Sequence, residues 1–247
     1  MSSPTTAIIR NEARLFSREP VAVFWMLAFP SILLAGLGLI PSFREPDPNL
    51  GGQSVIELYV QVVVLLSMIF SGAQAMPEFL ISYRQRKVLR RLRTTPLGPS
   101  RVILAQVVVH AAVVSLAALL CLLVGRVAFG TPLPEAPVGY ALVYLLALAS
   151  MMAVGAVISA VAPNATVANV LSMAVMFSFM FTAGVYLPVQ AMPDALQTIV
   201  SFFPMGAAAE ALNQAVLGEV PDLIHLGVMA AWTAALSLIA VRAFRWE

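Results

Sequence analysis

Apolar residues fall in six long blocks, at 21–40, 55–81, 101–124, 138–161, 167–187 and 222–241. Short stretches that are polar, charged or rich in proline and glycine separate them. Each block approaches or exceeds the roughly 20 residues a helix needs to cross a bilayer. The pattern predicts an all-α polytopic membrane protein with six transmembrane helices, built as a single domain over residues 1–247. Two segments depart from it. Residues 5–20 place Ile8, Ile9, Ala13 and Phe16 on one helical face and Arg10, Arg14 and Arg18 opposite. That spacing predicts an amphipathic helix lying in the membrane interface. Residues 188–221 carry four prolines, the acids Asp194, Glu210 and Glu219, and no Lys or Arg. Their apolar runs are too short to span, so they predict a helical hairpin, over about 193–203 and 205–217, that is re-entrant or interfacial.

Within the blocks, Phe24 and Trp25 suit the headgroup level at the start of the first span. Pro30 and Pro77 should bend their helices. Gly36 and Gly38 offer close helix packing. In the second span Ser67, Ser71, Gln74 and Glu78 recur at helical spacing, so they share a face. Polar groups at membrane depth turn toward protein or water. This face is either helix–helix contact or one wall of a hydrated pathway. In the fifth span Asn169, Met173, Met176 and Met180 form a second stripe, with Phe177 and Phe181 beside it. Flexible thioethers next to aromatic rings suit either packing or an adaptable apolar cavity.

Composition agrees with the blocks. The chain is 60% hydrophobic and 11% charged, with a mean hydropathy of +0.91. A soluble domain is nearer 45–50% apolar and about 25% charged. No basic soluble face exists for nucleic acid. The single cysteine, Cys121, excludes an intrachain disulfide. The only lysine, Lys87, follows Arg86, so no Walker A motif is possible. The two histidines, His110 and His225, lie on different spans, and no zinc spacing or GxSxG occurs. No catalytic or metal site is predicted, and no cofactor for this chain. No buried ionisable relay of the kind a proton-coupled carrier shows is legible.

Charge is concentrated in one place. Residues 83–100 (YRQRKVLRRLRTTPLGPS) hold Arg84, Arg86, Lys87, Arg90, Arg91 and Arg93. In a six-span chain twelve of the fourteen Lys and Arg fall on the side of both termini. The positive-inside rule then places both termini and this loop in the cytoplasm.

Three stretches, in order, carry a resemblance. SREPVAVFWMLAFP resembles the connecting helix and first-span entry of ABC-2 type transporter permeases. EFLISYRQRKVLRRLRTTPLGPSRVILAQ resembles their coupling helix and third-span start, departing at Lys87, where relatives often have glycine. TAGVYLPVQAMPDALQTIVSFFP resembles their external hairpin, with Gly184, Pro188, Met192, Pro193 and Pro204 in the family's positions. The likeness covers nearly all 247 residues and extends to drug-efflux permeases of the daunorubicin-resistance kind.

The resemblance implies a multi-pass subunit of the bacterial inner (plasma) membrane, in contact with its lipids. It implies pairing with a second six-span permease, identical or not. It also implies two separate ATP-binding cassette subunits that bind ATP and Mg. The coupling helix would cover 83–94. Val88, Leu89 and Leu92 would enter a groove of the ATPase, and Arg84, Arg86, Lys87, Arg90 and Arg91 would reach acids around it. A cavity would be lined by spans one, two and five, with Phe29, Ser67, Ser71, Gln74, Asn169, Met173, Met176, Phe177 and Met180 as pathway residues. The methionines and phenylalanines, and a scarcity of aromatic platforms, favour export of a hydrophobic or amphipathic small molecule over a polysaccharide or glycolipid. An ion-coupled carrier, or a membrane enzyme using His110, His225 or Glu210, is the remaining alternative.

Overall fold

The computed structural model describes residues 4–86 and 99–243. Among the described residues nine helices follow one another: α1 (Pro4–Phe16), α2 (Pro20–Leu37), α3 (Val55–Gln85), α4 (Pro99–Phe129), α5 (Pro137–Val161), α6 (Ala165–Thr182), α7 (Asp194–Ser201), α8 (Pro204–Val216) and α9 (Leu223–Ala243). Helices α2, α3, α4, α5, α6 and α9 are long and apolar enough to cross a membrane. No strand occurs among the described residues, only an isolated bridge between Pro46 and Ser54.

Helix ends follow local chemistry. Ser54 and Glu57 form a reciprocal capping box at the start of α3. The Asn164 side chain accepts from the Val167 amide at 2.9 Å, so the tight turn after α5 leads directly into α6. Helix α6 stops at Thr182, five residues before the apolar block ends. Gly184 adopts φ +84°, Gly184 N–H donates to Phe181 O, and Val185 N–H donates to Met180 O. This pair of bonds is a Schellman closure, which glycine permits without strain. Helix α4 instead runs five residues past its block. Arg126, in its last turn, donates to the carbonyls of Gly130 and Thr131 just beyond the helix.

Both span prolines are absorbed the same way. A proline cannot bond to the carbonyl four residues back and collides with it. Ahead of Pro30 the helix widens to a π turn at Phe24–Ala28, and ahead of Pro77 at Phe70–Ala75. There Phe29 N–H reaches Phe24 O and Met76 N–H reaches Ser71 O, each five residues back.

Helix α3 lies at the centre and is buried along most of its length, whereas α2, α6 and α9 are largely exposed. Its close crossing with α5 depends on two glycines. A Cβ on Gly72 would strike the Met151 backbone, and one on Gly155 would strike the Gly72 carbonyl. Gly36 has open space around it, and Gly38 faces the Phe129 ring. Close backbone approach therefore joins spans two and four, while at the end of span one Gly38 leaves room for the Phe129 ring and Gly36 makes no close contact.

The segment after α6 forms two helices bent by 107°. Pro188 precedes a 3₁₀ turn at Val189–Ala191, Pro193 precedes α7, and Pro204 opens α8. Proline suits such first positions because no intrahelical donor is lost there. Helix α8 is buried against α3, α5 and α9. Its Ala207, Ala208, Ala211 and Ala215 are fully covered, since small side chains let neighbouring backbones close in. A reciprocal amide pair, Gln53 with Asn213 at 3.0 and 3.1 Å, ties it to the loop before α3.

Candidate functional site

A cavity of about 660 Å³ opens between α2, α3 and α6. Ligand sites typically measure about 300–1,000 Å³. Helix α2 contributes Trp25, Met26 and Phe29, α3 contributes Phe70, Gln74 and Ala75, and α6 contributes Met173, Met176, Phe177 and Met180. Both π turns supply wall residues, so the proline-induced widening falls where the cavity is. Trp25, Phe29 and Phe70 form an aromatic cluster, with ring centroids 4.6, 5.3 and 5.9 Å apart. Glu19, Glu78 and Arg86 mark its charged rim.

A second chamber of about 230 Å³ adjoins it between α3 and α6. The two share Gln74, Glu78 and Ser82, and the smaller one adds Gln85, Asn169 and Ser172. Gln74 donates to Asn169 Oδ1 at 3.2 Å across the junction, and its own Oε1 is buried without a partner among the described residues.

Of the residues picked from the pattern, Phe29, Gln74, Met173, Met176, Phe177 and Met180 line the larger cavity, and Asn169 lines the smaller. Ser67 and Ser71 line neither. Ser67 Oγ donates to Val64 O at 2.7 Å within its own helix. Ser71 Oγ lies 3.0 Å from His110 Nδ1 on α4. The cause is the π turn between Ser71 and Gln74, since one inserted residue shifts the helical phase by about 100°. The even spacing counted along span two therefore serves two different neighbours. His110 packs in the core against Phe16 and Phe79, with centroids 5.5 and 5.8 Å away.

Three features were not legible in the pattern. Trp25 and Phe70 line the cavity wall, so aromatic rings are not scarce there. Glu12, on the amphipathic helix, is only 6% exposed. It accepts from Tyr83 Oη and from Gln106 Nε2, both at 2.6 Å, which joins α1 to α3 and α4. Burial pushes its carboxyl above the usual range, and the two hydrogen bonds pull it partly back. Finally, Glu210 on α8 and His225 on α9 are paired at 2.7 Å. A pairing across 15 residues and a helix break leaves no periodic trace.

The basic stretch is described only up to Arg86. Tyr83, Arg84 and Gln85 continue α3, and Arg86 caps it. Arg84 is already engaged, donating to the carbonyls of Ser159 and Ala162 at the end of α5, where a cation complements the helix dipole. The predicted coupling residues Lys87, Val88, Leu89, Arg90, Arg91 and Leu92 lie outside the described residues.

Six helices able to cross a membrane, three of them enclosing a cavity, define a multi-pass membrane protein. The chain belongs to the ABC-2 type transporter family, whose model matches residues 4–217. It is accordingly the membrane-embedded permease subunit of an ABC-type transporter, a family that works with ATP-binding cassette subunits. No curated protein matched the chain.

Proposed function

We propose that the protein exports hydrophobic or amphipathic small molecules through the cavity between α2, α3 and α6. Two separate ATP-binding subunits drive it, and a second six-span permease completes the transporter. The observation that carries the reading is the wall itself: three methionines and a phenylalanine from α6 face an aromatic cluster from α2 and α3. Such a surface gains from apolar contact, adapts to different shapes, and is large enough for a drug-sized molecule.

Both termini and the basic segment lie in the cytoplasm, supported by the twelve-to-two distribution of Lys and Arg. The α7–α8 hairpin is then a re-entrant element on the external side. The segment beginning at Arg86 and Lys87 docks on the ATPase, with Val88, Leu89 and Leu92 as apolar anchors inside a basic rim.

The test is the ATPase activity of the reconstituted complex with drug-like ligands. Phe177→Ala combined with Met176→Ala removes apolar wall at the cavity centre. Stimulation should then need at least tenfold more ligand, while basal turnover stays unchanged. Unaltered stimulation overturns the cavity assignment, and stimulation by sugar-bearing lipids alone replaces the small-molecule cargo with a glycolipid. For docking, Leu89→Asp with Leu92→Asp should abolish copurification of the ATPase at normal expression.

A further inference from the structure

The two chambers differ in chemistry, and that difference defines a ligand. The larger is walled by rings and thioethers, and the smaller by Gln74, Glu78, Ser82, Gln85, Asn169 and Ser172. Among the described residues, Glu78 carries the only ionisable charge in the smaller chamber. It has no hydrogen-bond or ion-pair partner among the described residues, where the sole ion pair is Glu210 with His225. Among the described residues no cation pairs with it: Arg84 is committed to carbonyls at the end of α5, and Arg86, which lines the larger chamber together with Glu78, forms no ion pair with it. Glu78 is exposed, so its carboxylate is open to the chamber, while Gln74 carries an unmet demand. Its amide N–H is spent on Asn169, leaving a buried acceptor at the junction of the chambers. A buried acceptor without a donor costs about 1–3 kcal/mol.

From an unpaired carboxylate and an orphaned carbonyl in the polar chamber, continuous with an apolar one, we infer that the site selects amphipaths bearing a basic amine. The ring system or alkyl part occupies the space among Trp25, Phe70 and Phe177. The protonated amine enters the smaller chamber, donating to Glu78 and to Gln74 Oε1. Glu78 and Gln74 are thus specificity-determining residues. A carboxylate-headed analogue would meet Glu78 with like charge and offer no proton to Gln74. A neutral alcohol can satisfy Gln74 but gains no charge assistance, which roughly doubles the strength of a hydrogen bond.

This inference rests on the cavity reading above, and one experiment separates the two. The full-length permease in nanodiscs is titrated with three pyrene probes that differ only in the head: 1-pyrenemethylamine, 1-pyrenemethanol and 1-pyrenecarboxylate. Energy transfer from tryptophan to pyrene reports binding, with empty nanodiscs subtracted. The amine should bind at least tenfold tighter than the alcohol, about 1.4 kcal/mol, and the carboxylate more weakly than either. In Glu78→Gln the amine's advantage should fall to within twofold while alcohol affinity holds, which also shows that the variant is folded. Phe177→Ala should weaken amine and alcohol equally. Equal binding of amine and alcohol by the unmodified protein, or a preference that survives Glu78→Gln, overturns the amine assignment alone. Absence of saturable binding by all three probes, or indifference of all three to Phe177→Ala, overturns the cavity reading and this inference with it.

Discussion

Glu12 is the sharpest place to test the packing, because a carboxylate has been drawn under an amphipathic helix whose pattern predicts an apolar underside. Removing it as Glu12→Ala deletes two hydrogen bonds of 2.6 Å, from Tyr83 and Gln106. Hydrogen bonds to a charged group contribute about 1.5–3 kcal/mol each, so loss of both could reach about 3–6 kcal/mol. Two terms reduce this. The carboxylate itself is costly to bury, and half-buried Tyr83 can turn to water. Phe16 still anchors α1 against Phe79 and His110. A net loss of about 2–3 kcal/mol in the docking of α1 is expected. Hydrogen exchange followed by mass spectrometry, in nanodiscs, reads this directly as local opening of residues 4–16. Protection there should fall about 30- to 150-fold, while α5 and α8 stay unchanged. Protection of α1 within threefold of the parent would refute the account.

The pH dependence follows from the same group. Its carboxyl titrates above the ordinary value of 4.5 when α1 is docked, so the docked state holds its proton more tightly than the open one. Docking is strongest below about 4.5 and weakens as pH rises through the raised value, then levels off. Glu12→Gln should flatten that profile across the same range, after correction for intrinsic exchange.

Two further outcomes probe the bundle. Gly155→Val drives a side chain into the Gly72 carbonyl and should cost at least the 1–3 kcal/mol typical of overpacking, seen as a lowered melting temperature in detergent. Gly36→Ala meets nothing within 4 Å and should be neutral or stabilising by up to about 1 kcal/mol; equal destabilisation by both would contradict the crossing. Glu210→Ala strips His225 of its Nε2 partner and should cost about 2–4 kcal/mol, with faster exchange confined to α8 and the start of α9. No change in α8 would show that the pair does not hold the hairpin.

How far the sequence carried depended on whether a feature repeats. Six spans, the helix irregularities ahead of Pro30 and Pro77 and the methionine stripe from Met173 to Met180 are periodic or compositional signals, and they are legible. The hairpin is legible too, because four prolines interrupt apolar runs too short to span. Contacts between distant segments leave no such mark. Nothing in the spacing of Glu12, Tyr83 and Gln106 announces that three elements meet there. Trp25 reads as an interface anchor because aromatic residues at span ends usually are. Only the fold shows Phe29 and Phe70 beside it. Gly72 is a lone glycine in its span, with Met68 and Met76 four residues either side, so no small-xxx-small pattern flags the crossing there; the Gly155–Ser159 pair in the fourth span does carry that pattern.

The widened turn at Phe70–Ala75 gives span two a joint in its phase. Residues before it are addressed to the protein interior, through Ser71 and His110. Residues after it are addressed to the cavity, through Gln74 and Glu78. One helix thus carries two independent surface codes, and its length between Ser71 and Gln74 is the switch between them. Substitutions can retune the cavity face without disturbing the core face above. Deleting a single residue from that turn would change no side chain's chemistry, yet would point the polar end of the cavity somewhere else.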